Sequence, residues 1–159
     1  MAPYDRSGQT DLHGYAGSMA AYAALVGLAL GAGRLTGREL PDRSDLADVL
    51  LGGLATHKLS RLLARGSVTS PLRAPFTELD RPAGAAEHHD RARGSSGVRH
   101  TVGELITCPF CVSVWLGTGY VGSLALWPRP ARAGAAVFGV VAVSDWLHLG
   151  YEMLRKRAT

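Results

Sequence analysis

Cysteine is nearly missing from this chain. Its 159 residues hold two, Cys108 and Cys111, which cannot build a disulfide framework and must be read as a local motif. Lysine is equally scarce, with Lys58 and Lys156 the two among 17 basic residues. That bias toward Arg, alongside abundant Ala and Gly, reads as GC-rich coding rather than mechanism. No Gly-rich phosphate loop, catalytic triad or paired acidic site is visible, so nothing in the sequence points to hydrolysis or group transfer. Charge is low, at 19% of residues, and it is unevenly spread. Three stretches of roughly 19 or more residues are nearly charge-free, and the charges crowd between them, which excludes both an ordinary soluble globule and a disordered chain. The length allows one domain.

The predicted architecture is an all-α, small polytopic membrane bundle of three to four helices with a C-terminal helical hairpin. An N-terminal tail, residues 1–14, has two acids and one Arg, not the positive n-region of a signal peptide. A single membrane domain follows over 15–154, with helices at about 15–33, 46–64, 106–127 and 131–153, then a basic tail at 155–159. The first helix covers roughly 28 Å, close to the hydrocarbon thickness. Its Ala23, Gly27 and Gly31 fall four apart on one face, as close helix packing in lipid requires. Segment 46–64 has Ser44 as its expected N-cap. Its second half carries His57, Lys58 and Arg61, so it spans only if those turns lie at the headgroups, because a charge at the bilayer centre costs about 2.5–3.5 kcal/mol. The alternative is a re-entrant or interfacial helix. Pro128, Arg129 and Pro130 are expected to form the turn of the hairpin, with Trp127, Trp146 and Tyr151 as interfacial anchors. The loop 66–103 is expected to be partly disordered, above all at AGAAEHHDRARGSSG. Its His88, His89 and Asp90 are expected to be solvated rather than a metal site.

Basic residues divide ten against five in favour of the N-tail, long loop and C-tail when four helices span. With three spans the side bearing 34–107 and the C-tail dominates. Both counts place loop 66–103 and the C-terminus in the cytoplasm of a multi-pass membrane protein. The basic balance is thus explained by orientation, and no nucleic-acid partner is expected. The expected partners are the lipid bilayer and a homo-oligomer or membrane-protein partner.

Two constellations could carry chemistry. Cys108-Pro-Phe-Cys111 opens a helix, where unpaired N–H groups favour thiolate and redox work. The spacing also gives half of a tetrahedral zinc site, which two protomers could complete; no other cofactor is expected. A thiol oxidase of the vitamin K epoxide reductase type would need a second cysteine pair, which this chain lacks. The second constellation is an intramembrane polar cluster, in which Asp145 or His148 pairs with Arg61, Lys58 or His57.

ATHKLSRLLARGSVTSPLRAPFTEL, followed at a distance by GELITCPFCVSVWLG and a closing apolar helix, resembles the bacterial membrane-protein family called domain of unknown function 1360. The resemblance covers about Leu46 to Tyr151. It rests on Thr56, Leu59, Arg61 and Leu62, on Arg73, Pro75 and Phe76, and on Gly103, Glu104, Leu105, Cys108, Cys111 and Trp115. The chain departs from the pattern at His57-Lys58, where an aromatic and Arg are usual, and in its additional first helix. The resemblance implies the inner membrane of a bacterial cell. Some members are associated with sporulation, and the family name brings no activity. The leading expectation is a non-enzymatic accessory or assembly factor, with Glu104, the cysteine pair, Arg61, Arg73 and Asp145 gathered at the cytoplasmic face. The rivals are a membrane thiol-redox or metal-binding protein using Cys108 and Cys111, and a small pore or transport protein.

Overall fold

A computed structural model describes residues 11–37, 45–84 and 86–158. Six helices and one two-stranded sheet follow in order: α1 Leu12–Leu35, α2 Leu46–Arg65, α3 Ser70–Arg73, β1 Thr77–Pro82, β2 His88–Ala92, α4 Val98–Thr107, α5 Pro109–Leu126 and α6 Pro128–Ala158. The protein is mostly helical but not all-α, and segment 66–103 is structured over its described residues. Both findings correct the sequence reading. The cause is a set of arginines in that segment that find carboxylates and carbonyls within it, so polar composition there builds hydrogen-bonded structure instead of a solvated coil.

Helix ends follow local chemistry. Asp11 caps α1 by accepting from the Gly14 N–H at 2.9 Å. Asp45 caps α2 by accepting from the Ala47 N–H at 3.0 Å, while Ser44 lies outside the described residues. α5 begins with Pro109 in its first turn, as its opening motif suggests, while Ile106 belongs to α4. Cys108 between them is extended (φ −101°, ψ 106°), because a residue before proline is pushed out of the helical region. The polar turn expected at 128–130 is instead the first turn of α6. Prolines fit there because first-turn N–H groups have no helical partner. α6 then continues through Arg155, Lys156 and Arg157, which suit the negative end of its dipole.

α2 is the central element, packed against both α5 and α6. Its buried Gly52, Ala55, Ser60 and Ala64 keep side chains short where neighbours approach. A Cβ at Gly52 would collide with the Tyr120 ring. Asp48 meets Arg132 near the start of both helices and Lys58 meets Asp145 further along, so α2 and α6 run parallel, with α5 antiparallel to them. α1 has no buried residue. It touches α4 through Asp11 and Thr101 and α5 through Tyr22, Trp115 and Thr118, running parallel to α5. The strand pair, α4, the start of α1 and the ends of α2 and α6 therefore share one end of the bundle. The strands are antiparallel, with Glu78 opposite Arg91 and Leu79 opposite Asp90 before a bulge ahead of Arg81.

Among the described residues α1, α5 and α6 are long and apolar enough to cross a membrane, by length and composition. α2 is not among them.

Candidate functional site: the polar cap and its cleft

Arg73 organises the cap. It is 2% exposed, and its Nε donates to Asp90 Oδ2 at 2.9 Å while Asp90 is itself 6% exposed. Its Nη1 donates to the Leu63 and Gly66 carbonyls at 2.8 and 3.0 Å and to Thr69 Oγ1 at 2.8 Å. The planar guanidinium thus ties β2 to the C-terminal end of α2, where carbonyls lack helical partners and a cation is favoured. Further arginines staple the same segment: Arg61 to Glu87 at 2.6 Å, Arg93 to the Thr77 carbonyl at 2.7 Å and Arg99 to the Pro75 carbonyl at 2.7 Å. α4 lies directly on the hairpin, since a Cβ at Gly103 would sit 2.6 Å from the Phe76 carbonyl oxygen and 2.9 Å from Ala92 Cβ. Leu62 closes the end of α2 through its carbonyl, which accepts from the Gly66 N–H at 3.0 Å and from the Thr69 hydroxyl. His88, His89 and Asp90, expected to be solvated, are engaged instead, by Ser70, Arg65 and Arg73 respectively.

The members of the polar cluster named from sequence go to different places. Lys58 Nζ meets Asp145 Oδ2 at 2.5 Å. Arg61 turns to Glu87, the His57 ring tilts against Trp146 at 5.8 Å between centroids, and His148 is exposed. Thr56 and His57 line an open groove of about 910 Å³ between α2 and α5. At the opposite end of the bundle Arg132 donates twice to Asp48, both at 2.7 Å. Sequence reading missed that pair, although Asp48 stood out as the one charge in the apolar half of its segment.

Cys108 and Cys111 are free thiols with no disulfide between them. Cys108 Sγ accepts from the Cys111 N–H at 3.2 Å, so the first thiol serves as the N-cap of α5. No group of three or more His, Cys, Asp or Glu poised for a metal occurs among the described residues. Glu104, one turn earlier on α4, shares a cleft of about 940 Å³ with both cysteines, Tyr15, Tyr22 and Trp115. Leu105 lines the same cleft, and the other motif leucine, Leu59, is half-buried on α2. His100 Nε2 approaches Glu104 Oε1 at 3.5 Å, and Tyr15 lines the same cleft. Deeper in, Tyr22 packs edge-on to Trp115 at 5.2 Å, and its hydroxyl bonds Thr118 at 2.6 Å. At the rim, the Gly14 N–H and then the Thr101 hydroxyl hold the Asp11 carboxyl below the usual carboxylate range. The six groups expected to gather at one face therefore divide. Glu104 and the cysteines share the cleft, while Arg61, Arg73 and Asp145 are spent on Glu87, Asp90 and Lys58.

Residues 50–151 match the family model described as protein of unknown function (DUF1360). The chain is also 32% identical over 110 residues to the sporulation protein YjcA of Bacillus subtilis (strain 168), covering 62% of this chain and 92% of that protein. No solved structure matches.

Proposed function

Because this chain belongs to the DUF1360 family, whose description carries no activity, we propose on its geometry that it is a bacterial inner-membrane accessory or assembly factor, acting through its structured cap and not by catalysis. The observation that carries this reading is the direction of its apolar side chains. Leu28 and Val140 are 70% exposed and Leu147 69%, along helices long enough to cross a bilayer. Exposed apolar side chains along such helices are unfavourable in water and at home in lipid. α2 completes the bundle as a fourth span, its Lys58 charge offset by Asp145. The N-terminus, cap and C-terminus then share the cytoplasmic side, where the basic residues are concentrated. Arginine stapling makes the cap a rigid surface that a partner can read, and the sporulation protein among its relatives points to that process.

The test is complementation of a Bacillus subtilis strain lacking that relative, scored by spore yield against protein level in the membrane fraction. The Cys108→Ser/Cys111→Ser double variant is expected to match the wild-type chain. Loss of complementation at an unchanged protein level would replace this reading with thiol chemistry.

A further inference from the structure

The cleft between α1, α4 and α5 has a direction. At the cap end it is lined by Arg91, His100 and Glu104, and toward the bundle by Met19, Tyr22 and Trp115. Two polar atoms in its lining residues, Glu104 Oε2 and His100 Nδ1, are buried without a hydrogen-bond partner among the described residues. Buried polar atoms in native proteins are nearly always satisfied, so such a pair asks what satisfies it. A carboxylate oxygen accepts only, so its missing partner is a donor, and a cationic one is favoured. Arg91 stands nearby with one N–H given to Glu78 and further guanidinium N–H groups left. α1 closes the cleft without burying a residue of its own, leaving the apolar half open to whatever surrounds the bundle. Its volume falls within the range of about 300–1,000 Å³ typical of small-molecule sites.

We propose that this cleft binds an amine-bearing phospholipid of the phosphatidylethanolamine class, its ammonium on Glu104, its phosphate on Arg91 and an acyl chain along Tyr22 and Trp115. The proposal rests on the membrane reading above. Charge complementarity selects the headgroup. A choline head has no N–H to give the orphaned oxygen, and a glycerol head brings no positive charge to the carboxylate. The polar-to-apolar axis of the cleft matches that of the lipid, since Trp115 lies about 10 Å along α5 from Cys108 at its start.

The experiment uses the full chain in phosphatidylcholine vesicles, with Trp127→Phe and Trp146→Phe leaving Trp115 as the sole tryptophan. Brominated phosphatidylethanolamine, phosphatidylcholine and phosphatidylglycerol are added at equal mole fraction, and quenching is read. The expected result is several-fold stronger quenching of Trp115 by the ethanolamine lipid, lost in Glu104→Gln and kept in Glu104→Asp. Trp127, read in a Trp115→Phe/Trp146→Phe chain, should be quenched alike by all three lipids with or without Glu104→Gln, which shows that the variant inserts. Equal quenching of Trp115 by all three lipids means ordinary surrounding lipid and overturns the proposal, as does a glycerol-head preference or an unchanged Glu104→Gln. If neither tryptophan is quenched by any lipid, the chain is not in the bilayer, and the membrane reading fails along with the proposal.

Discussion

Arg73 and Asp90 form the most buried ion pair described, and the consequences of breaking it are unequal for different replacements. Removing one partner strands the other charge away from water, which costs about 3–5 kcal/mol. Arg73→Ala and Asp90→Ala are each expected to free the hairpin, seen as rapid proteolytic cleavage within residues 74–97 while the helices stay protected. Arg73→Lys keeps the charge but cannot reach Asp90, two α2 carbonyls and Thr69 together, so it should fall nearer to Ala than to wild type. Lys58 and Asp145 behave differently because both remain partly exposed. Lys58→Met or Asp145→Leu alone leaves an unpaired charge between helices and should cost stability on the order of 1–3 kcal/mol, read as a lower melting temperature in detergent. The double variant Lys58→Met/Asp145→Leu should recover most of the loss, because a matched apolar pair replaces a pair that had to be desolvated. A proton pathway would be expected to lose function in the double variant as well. From sequence, Arg61 could not have been separated from Lys58 as the partner of Asp145. That choice depends on Glu87, which enters only once the hairpin folds back.

Between elements, space decides more than charge. Gly52 and Gly53 are adjacent, yet a side chain at Gly52 would strike Tyr120 whereas one at Gly53 meets nothing. Gly52→Leu should force α2 from α5 at about 1–3 kcal/mol, and Gly53→Leu should be near neutral; thermal melts of the two side by side check this. The docking of α1 is expected to depend on pH through Asp11, whose carboxyl is held below its usual range by the Gly14 N–H. A depressed folded-state value stabilises above the unfolded one and is lost as pH falls through the folded one. Acidification below the normal carboxylate range should therefore detach the start of α1 from Thr101. Asp11→Asn, still able to cap, should remove that dependence, read as the pH profile of Trp115 emission beside Tyr22. The helices were legible because long charge-free runs and capping acids are local signals. The hairpin was not: TELDRP and HHDRA have no apolar alternation, and what pairs them is Arg73 reaching Asp90 across 17 positions. The start of α6 at Pro128 is hard to read for a related reason, since proline breaks a helix interior but not its first turn.

For the whole molecule, the cleft illustrates what a single sequence withholds. Glu104, Cys108, Cys111 and Trp115 stood out as motif residues, but Tyr15 and Tyr22 reach them only because α1 lies parallel to α5 across more than 80 intervening residues. That arrangement also bears on the one side that differs between the two span counts, that of the N-terminus. With Asp11 against Thr101, the start of α1 sits at the same end as the cap, which requires an even number of crossings between them. α2 must then span. Four crossings would put ten basic residues on the cap side against five, for which the positive-inside rule predicts a cytoplasmic cap. A membrane-impermeant thiol reagent should therefore leave intact cells unlabelled and label inverted vesicles, at Cys111, which is exposed at the cap end. A single cysteine placed at Gly37, at the other end of α1, in a Cys108→Ser/Cys111→Ser background should label from outside. Labelling of Gly37→Cys from the inside would mean that α2 lies on the membrane instead of crossing it. The Asp11–Thr101 contact and the pairing of α2 along α6 would then both have to break, so this one measurement bears on the bundle as a whole.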